Sequence, residues 1–274
     1  MNRQDLTQLL RCPETNQQLT GWNGIDEHGT VSTRDGRDYP VVDGIPNLLP
    51  DALRGDVILE DPTVREKRSE MAARDAQVVS YDKMMGLKLF TSVELPLTLS
   101  YLNVQSNHVM LEGGCGTGRM SEAFARSCAG LICVDFSRES LRVAKAKLPA
   151  ELADRVIFVQ ADLSMLPLAS DSFDRVGSFG VYEHIPTTET RAGALHHMAR
   201  VCKAAADGGR FAMSAYRWGL PQSLFSEREG HHGGGIYFVR LTQRELRADM
   251  EAKFNVGGFT ESLLYYHLAW GIKK

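Results

Sequence analysis

Three acidic residues stand at the ends of successive apolar runs in the middle of the chain. They are Glu112 in HVMLEG, Asp135 in LICVD and Asp162 in RVIFVQAD. Helix-like segments separate the runs, which predicts consecutive strands of a parallel sheet. The carboxyl ends of such strands lie at one edge of the sheet, where ligands bind. We therefore expect the three carboxylates to line one binding site.

The spacing of these acids is typical of a nucleoside site. Asp135 lies 23 positions after Glu112, about where a ribose-binding carboxylate follows a strand–helix–strand unit. Its two oxygens can accept hydrogen bonds from two ribose hydroxyls. Asp162 can accept one from an exocyclic amine such as that of adenine, with Phe136 and Leu163 covering the faces of the ring.

The loop after the first acid reads EGGCGTGRM over residues 112–120, and its glycines are Gly113, Gly114, Gly116 and Gly118. A P-loop needs a lysine and a serine or threonine after its last glycine, and the dinucleotide fingerprint has the spacing G-x-G-x-x-G. This loop has neither pattern. Glu112 would also repel a pyrophosphate, whereas it would suit a ligand with an ammonium or sulfonium charge. The loop is therefore not expected to bind phosphate.

Strand and helix patterns alternate from about residue 106 to residue 274. This alternation predicts an α/β fold with a mainly parallel sheet and helices on both faces. Residues 1–55 are rich in turns and predict a small β-rich module, and residues 56–105 are predicted to be mostly helical. Within the helical part, the basic stretch 65–74 is interleaved with acidic residues, which is typical of a solvated helix face.

Together, the three acids and the E-x-G-x-G-x-G pattern resemble the class I S-adenosylmethionine-dependent methyltransferases of the ubiquinone- and menaquinone-biosynthesis type, over roughly residues 76–274. The resemblance implies a Rossmann-like seven-stranded sheet, S-adenosyl-L-methionine as cofactor and S-adenosyl-L-homocysteine as product. By this resemblance the loop 112–118 packs against the methionine part of the cofactor. The other implied cofactor contacts are Asp135 with Ser137, Phe136, Asp162, Leu163, Phe179 and Gly180. The family most often has aspartate where this chain has Glu112.

The stretch AARDAQVVSYDKM is similar to the helix that precedes this fold in many small-molecule methyltransferases. By that resemblance Tyr81 closes over the cofactor. The alternative is that Tyr81 only packs the helix against the sheet.

The loop SFGVYEHIP contains the candidate catalytic residues Tyr182, Glu183 and His184. A similar Glu-His pair follows the fourth strand in the resembled methyltransferases. His184, with an ordinary pKa near 6.5, could take the proton of an acceptor hydroxyl or amine, or its ring could order the loop before Pro186. Some relatives bind a divalent metal through Glu-x-x-Glu-His. Gly180 replaces the first glutamate here, so we predict no metal.

An insertion at about residues 216–240 is rich in aromatic residues, histidine and glycine. We interpret it as a lid over the acceptor, because three consecutive glycines at 233–235 suit a movable segment. Its candidate substrate contacts are Tyr216, Trp218, His231, His232 and Tyr237. The paired histidines could equally be exposed loop residues.

The N-terminal 55 residues resemble the small zinc-ribbon-like activators of tRNA and release-factor methyltransferases. The ending YPVVDGIPNLL matches theirs, whereas of the metal-binding cysteines only Cys12 remains, and Thr15 stands in the place of its partner. Structural zinc normally has four protein ligands. We therefore expect a zinc-ribbon-like module without a metal site, followed by a connector at 56–105 and the methyltransferase domain at 106–274.

The composition excludes several function classes. The chain has 274 residues, a formal net charge of −3 and no long basic tract, which argues against nucleic acid as a partner. No apolar run approaches the roughly 18 residues of a membrane span, and the first residues lack a signal core. The five irregularly spaced cysteines indicate free thiols in a reducing compartment, so we expect a cytoplasmic protein.

The sequence therefore predicts an enzyme that methylates an oxygen or nitrogen of a small organic molecule. One alternative is a tRNA or protein methyltransferase, which the N-terminal resemblance favours. Another is a methyltransferase-like fold that serves as a scaffold or catalyses a different reaction. The acceptor and the oligomeric state stay open, with a homodimer as one option.

Overall fold

A seven-stranded sheet forms the centre of the chain in the computed structural model, which describes residues 1–55, 61–81 and 87–274 and no side chains at 79–81 and 87–88. Elements are numbered in chain order. The strands of this sheet are β4 (Val109–Gly113), β5 (Gly130–Asp135), β6 (Val156–Gln160), β7 (Arg175–Phe179), β8 (Arg210–Tyr216), β11 (Phe254–Ser262) and β12 (Tyr266–Lys273). Their order is β11-β12-β8-β7-β4-β5-β6, with β4 to β8 parallel. The predicted mainly parallel sheet is confirmed.

Helices pack beside this sheet and bury its central strands along nearly their whole length. β5, β6 and β7 are buried throughout, as expected for parallel strands that are covered on both faces. The helices between and beside the strands are α4 (Leu87–Leu102), α5 (Ser121–Ser127), α6 (Arg138–Lys147), α7 (Thr188–Val201) and α9 (Gln243–Glu251). Side chains of Ser137, Thr187 and Thr242 cap α6, α7 and α9, each by accepting a backbone N–H bond.

The chain changes direction between β4 and β7. From β4 it proceeds to β5 and β6 on one side, and then returns to place β7 and β8 on the other side. The loops after β4 and β7 consequently diverge and leave a crevice between them. This is the topological switch point, where ligands bind on sheets of this kind.

The N-terminal segment forms a three-stranded antiparallel sheet of β1 (His28–Ser32), β2 (Asp38–Val42) and β3 (Ile45–Pro46), with short helices α1 (Arg3–Thr7) and α2 (Asp51–Arg54). Just after β3, the Leu48 N–H donates to the carbonyl of Gln160 on edge strand β6 at 2.8 Å. Leu6, Leu10 and Leu48 are fully buried in the same apolar cluster as Ile132 and Ile157 of the central sheet. The segment therefore covers a sheet edge and shares its core.

Two further segments cross the sheet's carboxyl edge. One is α3 (Pro62–Tyr81), which begins with Pro62 in a favourable first position. The other lies between β8 and α9 and contains α8 (Gln222–Phe225) and the hairpin of β9 (Glu229–His231) and β10 (Tyr237–Val239). No helix among the described residues is both long and apolar enough to cross a membrane.

Strand β11 has no counterpart in the sequence patterns above, because FNVGGFTES contains two glycines. Both lie under the ring of Trp270 on the neighbouring strand β12, and a Cβ at Gly257 would lie 2.3 Å from that ring. The glycines make room for the indole, so they serve packing across the strands.

We predict that Leu10→Ala lowers the free energy of unfolding of the whole chain by about 2–5 kcal/mol, because Leu10 is buried in the shared core. Urea denaturation followed by circular dichroism and tryptophan fluorescence measures this. The control Leu224→Ala changes a leucine that is 66% exposed, and we expect it to shift stability by less than about 0.5 kcal/mol. A separate early transition confined to the N-terminal segment would contradict the shared core.

Candidate functional site

A cavity of about 1160 Å³, including the space at its open mouth, lies at the carboxyl ends of β4 to β7. Its walls come from the loop after β4, the ends of β5 and β6, the loop after β7 and one face of α3. The predicted residues that line it are Glu112, Gly114, Gly116, Asp135, Phe136, Asp162, Leu163, Phe179, Gly180 and His184. The topology thus brings the three strand-end acids into one site, as predicted.

All three alternate glycines have a positive φ, which favours glycine, but their surroundings differ. A Cβ at Gly114 would lie 2.3 Å from a methyl carbon of Val181, and one at Gly118 would lie 3.0 Å from Ala144 of α6. Gly116 has a positive φ of 53°, and its Cβ would meet no protein atom within 4 Å. Gly114 and Gly118 therefore allow close packing, whereas Gly116 exposes backbone to the open cavity, where a ligand can approach closely.

Asp135 is held so that part of its hydrogen-bonding capacity remains. Its Oδ2 accepts the N–H of Gly116 at 2.8 Å, and its Oδ1 accepts the N–H of Ser137 at 2.9 Å. Each oxygen retains one lone pair, which is the acceptor set that a ribose diol requires. Burial raises the pKa of this carboxyl, and the two N–H donors oppose the rise.

Asp162 already uses more of its hydrogen-bonding capacity than Asp135 does. Its Oδ1 accepts bonds from the backbone N–H and the hydroxyl of Ser164, and its Oδ2 lies 2.6 Å from Nζ of Lys67 on α3. One lone pair remains on Oδ2. Asp162 can therefore accept a single further donor, such as one exocyclic N–H.

Glu112 is buried at the end of β4 and lines the cavity. Its Oε2 accepts the hydroxyl of Ser121 at 2.5 Å. Burial raises the pKa of Glu112 to about 7, against the opposing effects of Ser121 and Cys133. A cationic ligand group would favour its ionised form.

Three predicted cofactor contacts, Gly113, Gly118 and Ser137, do not line the cavity. A Cβ at Gly113 would lie 3.1 Å from Leu163, so this glycine lets Leu163 approach the sheet. The hydroxyl of Ser137 donates to Asp75 of α3 at 2.6 Å. These residues support the cavity wall from behind. Tyr81 is the last residue of α3, and its side chain lies outside the described residues.

The side chain of His184 is 11% exposed, and its ring has a defined orientation. Its Nδ1 lies 2.7 Å from the carbonyl oxygen of Tyr237 in the lid hairpin. Because a carbonyl only accepts hydrogen bonds, Nδ1 must carry the proton, which leaves Nε2 as a proton acceptor. Burial keeps the pKa of His184 well below its ordinary value, and the charge of Arg74 lowers it further. The ring is neutral near pH 7.

Glu183 is fully buried, and neither of its carboxylate oxygens has a hydrogen-bond partner in another described residue. Its Oε1 lies 4.0 Å from Nε2 of His184. Burial raises the pKa of Glu183 to about 8, and the neighbouring carboxylate of Glu94 on α4 contributes to the rise. Tyr182 is turned away from the cavity, since its hydroxyl donates to Asp249 of α9 at 2.9 Å.

Aromatic side chains of the lid gather around His184. The ring centroids of Tyr216 and His232 lie 5.2 and 5.9 Å from that of His184, and His232 stacks on Phe238 at 4.4 Å. None of the five predicted lid contacts lines the cavity itself. His231 is exposed and packs against the ring of Tyr237, and Trp218 is half-buried. The two histidines thus differ: His231 is exposed, as in the loop alternative, whereas His232 is half-buried beside His184.

The expectation of a solvated face on residues 65–74 holds for Arg65 and Glu66, which are exposed, but not for the opposite face of the helix. Lys67, Glu70 and Arg74 all line the cavity. They recur at the three- and four-residue intervals that place side chains on one helix face, and this face is turned towards the strand-end acids. Helical periodicity in charged residues was the available signal, but the pattern does not distinguish a wet face from a polar cavity wall.

Across residues 1–55, 61–81 and 87–274, no three histidine, cysteine or acidic side chains come together as a metal-binding group. All five cysteines are buried and free.

Comparison with known proteins shows that part of this chain is similar to methyltransferases. A family model described as a methyltransferase domain matches residues 111–213. The chain is 36% identical over 115 residues to methyltransferase GfsG of Streptomyces halstedii, and 39% identical over 108 residues to demethylmenaquinone methyltransferase of Clavibacter sepedonicus. These matches cover 41% and 39% of this chain, but only 39% and 40% of the relatives. The chain thus matches less than half the length of either relative.

Among solved structures, the fold is similar to that of 1,6-didemethyltoxoflavin-N1-methyltransferase from Burkholderia thailandensis, with bound 1,6-didemethyltoxoflavin and S-adenosylhomocysteine. The TM-score is 0.56 at 18% sequence identity, and the match covers 91% of this chain and 97% of that one. At this identity the likeness establishes the fold, which is Rossmann-like as predicted.

We predict that Glu183→Gln stabilises the protein increasingly as the pH rises from 6.5 to 8. The folded chain holds the Glu183 proton up to about pH 8, whereas an unfolded chain releases it near pH 4.5. The wild type therefore loses stability over this window, by about 1.4 kcal/mol per pH unit for this group at most. We expect the stability difference between variant and wild type to grow by about 1–2 kcal/mol in urea titrations. The exposed Glu66→Gln variant is the control, and its unfolding free energy should follow that of the wild type in parallel across this pH range. The same parallel course for Glu183→Gln would contradict the prediction.

Proposed function

We propose that this chain, whose residues 111–213 match a methyltransferase domain, transfers a methyl group from S-adenosyl-L-methionine to an oxygen or nitrogen of a small organic molecule. One observation carries the proposal. Asp135, with one lone pair left on each oxygen, lies beside the open backbone of Gly116 at the switch point of the sheet. This is the arrangement that a nucleoside with a bulky group next to its ribose requires.

The described residues fit the cofactor along its length. Asp135 would accept the two ribose hydroxyls, and the remaining lone pair of Asp162 would accept the adenine amine. Phe136 and Leu163 would cover the ring, while Glu112 and the loop up to Gly118 would meet the positively charged methionine end. When bound, the cofactor supplies an electrophilic methyl group on a sulfonium. The residues around it contribute mainly position.

We assign the proton-accepting role to His184. Its neutral ring presents Nε2 as acceptor, because Nδ1 is committed to the carbonyl of Tyr237. An acceptor hydroxyl or amine within hydrogen-bond reach of Nε2 could pass its proton there as the new bond forms. Glu183, 4.0 Å from Nε2, keeps its own proton near pH 7 in the free protein, so it would stabilise the charged imidazolium only in its ionised form, which that positive charge favours. Tyr182 would anchor the loop to α9 through Asp249.

The aromatic rings of Tyr216, His232 and Phe238 support a small organic acceptor. They form a compact wall beside His184, and the net charge of −3 does not favour a polyanion. The N-terminal resemblance instead favours a tRNA or protein methyltransferase. Transfer of labelled methyl groups to a metabolite extract, to total tRNA and to protein separates these functions, because tRNA binding would also weaken steeply with salt.

We further propose a cytoplasmic location, which the buried free thiols support. A homodimer is the oligomeric state that we propose to test, by light scattering on the full chain.

We predict that Asp135→Ala weakens S-adenosylmethionine binding by about 2–3 kcal/mol, or roughly 30- to 150-fold, because two hydrogen bonds to a charged acceptor are lost. Isothermal titration calorimetry with S-adenosylmethionine and S-adenosylhomocysteine measures this. Asp154→Ala, at an exposed position, is the control and should bind like the wild type. If neither compound binds to the wild type, the proposed function fails.

We predict that affinity for S-adenosylmethionine rises with pH between 6 and 8 through the ionisation of Glu112. Its pKa of about 7 in the free protein means that only part of the population presents a negative charge at pH 6. The ratio of Glu112→Gln to wild-type dissociation constants should therefore rise about tenfold from pH 6 to pH 8. The ligand's own amino group titrates equally in both proteins and cancels. A constant ratio would show that Glu112 does not act through its charge.

A further inference from the structure

The outer edge of the lid hairpin is bound by side chains instead of a third strand. Tyr237 pairs with His231 across the hairpin, but its backbone groups bond elsewhere. Its N–H donates to Oε2 of Glu70 on α3 at 3.2 Å, and its carbonyl accepts Nδ1–H of His184 at 2.7 Å. A single residue of the lid thus connects α3 with the candidate base.

Glu70 is well placed to fix this residue. Its side chain is buried, and its Oε1 accepts Nε–H of Arg74 at 3.0 Å, one turn further along α3. The ion pair leaves the carboxylate little freedom to rotate, so Oε2 stays directed at the Tyr237 N–H. An isolated two-stranded hairpin is marginally stable in water, which makes an external anchor of this kind significant.

The orientation of the His184 ring depends on the same peptide. A neutral histidine can carry its proton on either nitrogen, and the hydrogen bond made by one nitrogen determines which. Here the Tyr237 carbonyl holds the proton on Nδ1 and thereby leaves Nε2 as acceptor. Displacement of the hairpin by an ångström or two would remove this selection.

We propose that Glu70 is a positioning residue: by holding the Tyr237 peptide, it keeps the lid hairpin closed on His184 and keeps Nε2 of that ring as the proton acceptor. The catalytic role of Nε2 rests on the proposed function, whereas the contacts of Glu70 and His184 with the Tyr237 peptide do not depend on that function. α3 also holds Asp162 through Lys67. The same helix therefore links the adenine end of the cavity to the base.

Two measurements on the full-length protein test this role. Hydrogen–deuterium exchange reports the Tyr237 amide, and we expect Glu70→Ala to accelerate its exchange at least tenfold. Two-dimensional ¹H–¹⁵N NMR of histidine side chains reports the tautomer of His184. We expect the Nδ1–H form in the wild type and a shift towards the Nε2–H form in Glu70→Ala.

Three further variants separate positioning from general destabilisation. Glu70→Gln keeps a single oxygen that can accept the Tyr237 N–H but loses the ion pair to Arg74, so its exchange should lie between that of the wild type and that of Glu70→Ala. Glu70→Asp keeps the charge but withdraws the carboxylate from Tyr237, so it should behave like Glu70→Ala. If the alanine variant fails to fold, the aspartate variant takes its place in both measurements. Glu66→Ala removes an exposed carboxylate of the same helix and should change neither measurement.

Wild-type exchange and a wild-type His184 tautomer in folded Glu70→Ala or Glu70→Asp would overturn the inference. Calorimetry with S-adenosylmethionine on the same samples keeps the two proposals apart. Absence of binding to the wild type would count against the proposed function alone, because the exchange and tautomer measurements need no cofactor.

Discussion

Buried carboxyl groups at the carboxyl edge of the sheet are the constraint on which the surrounding contacts depend. Four carboxylates lie in or beside one crevice: Glu112, Asp135, Asp162 and Glu183. Removing such groups from water is costly unless hydrogen bonds or opposite charges compensate. Asp135 accepts two backbone N–H groups and Asp162 pairs with Lys67. Burial nevertheless raises the pKa of Asp135, and it raises those of Glu112 and Glu183 to about 7 and about 8. The crevice is therefore prepared for a ligand with hydroxyl donors and positive charge.

α3 supplies the positive charges and hydrogen-bond partners that the sheet does not offer to these carboxyl groups. Lys67 reaches the end of β6, Asp75 caps α6 together with Ser137, and Arg74 lies near enough to Asp135, Glu183 and His184 to shift all three pKa values downwards. A lower pKa favours the ionised form of the two acids and the neutral form of His184. One cation thus favours both the ionised form of Asp135, our proposed ribose acceptor, and the neutral form of His184, our proposed base.

The sheet and its acids could be predicted because their positions follow from strand ends. A carboxylate directly after a buried strand must emerge at the carboxyl edge, and strand order brings Glu112, Asp135 and Asp162 together. The cavity face of α3 could not be predicted in the same way. Lys67 and Arg74 alternate with acids as they would on a wet surface, and only the packing of α3 across the edge buries them. β11 was missed for a related reason, since its glycines accommodate Trp270, a partner distant in sequence.

The lid illustrates a further limit of local patterns. Its aromatic composition indicated a cover for the acceptor, yet the side chain of Tyr237, one of the predicted contacts, is less informative than its backbone. The N–H and C=O of this residue point out of the hairpin, and any residue with the same backbone could make those two bonds. Sequence alone cannot identify a backbone group that makes such long-range hydrogen bonds. The partners of Tyr237, Glu70 and His184, lie 167 and 53 positions away. The orientation of the His184 ring therefore depends on contacts among three segments that only the folded chain brings together.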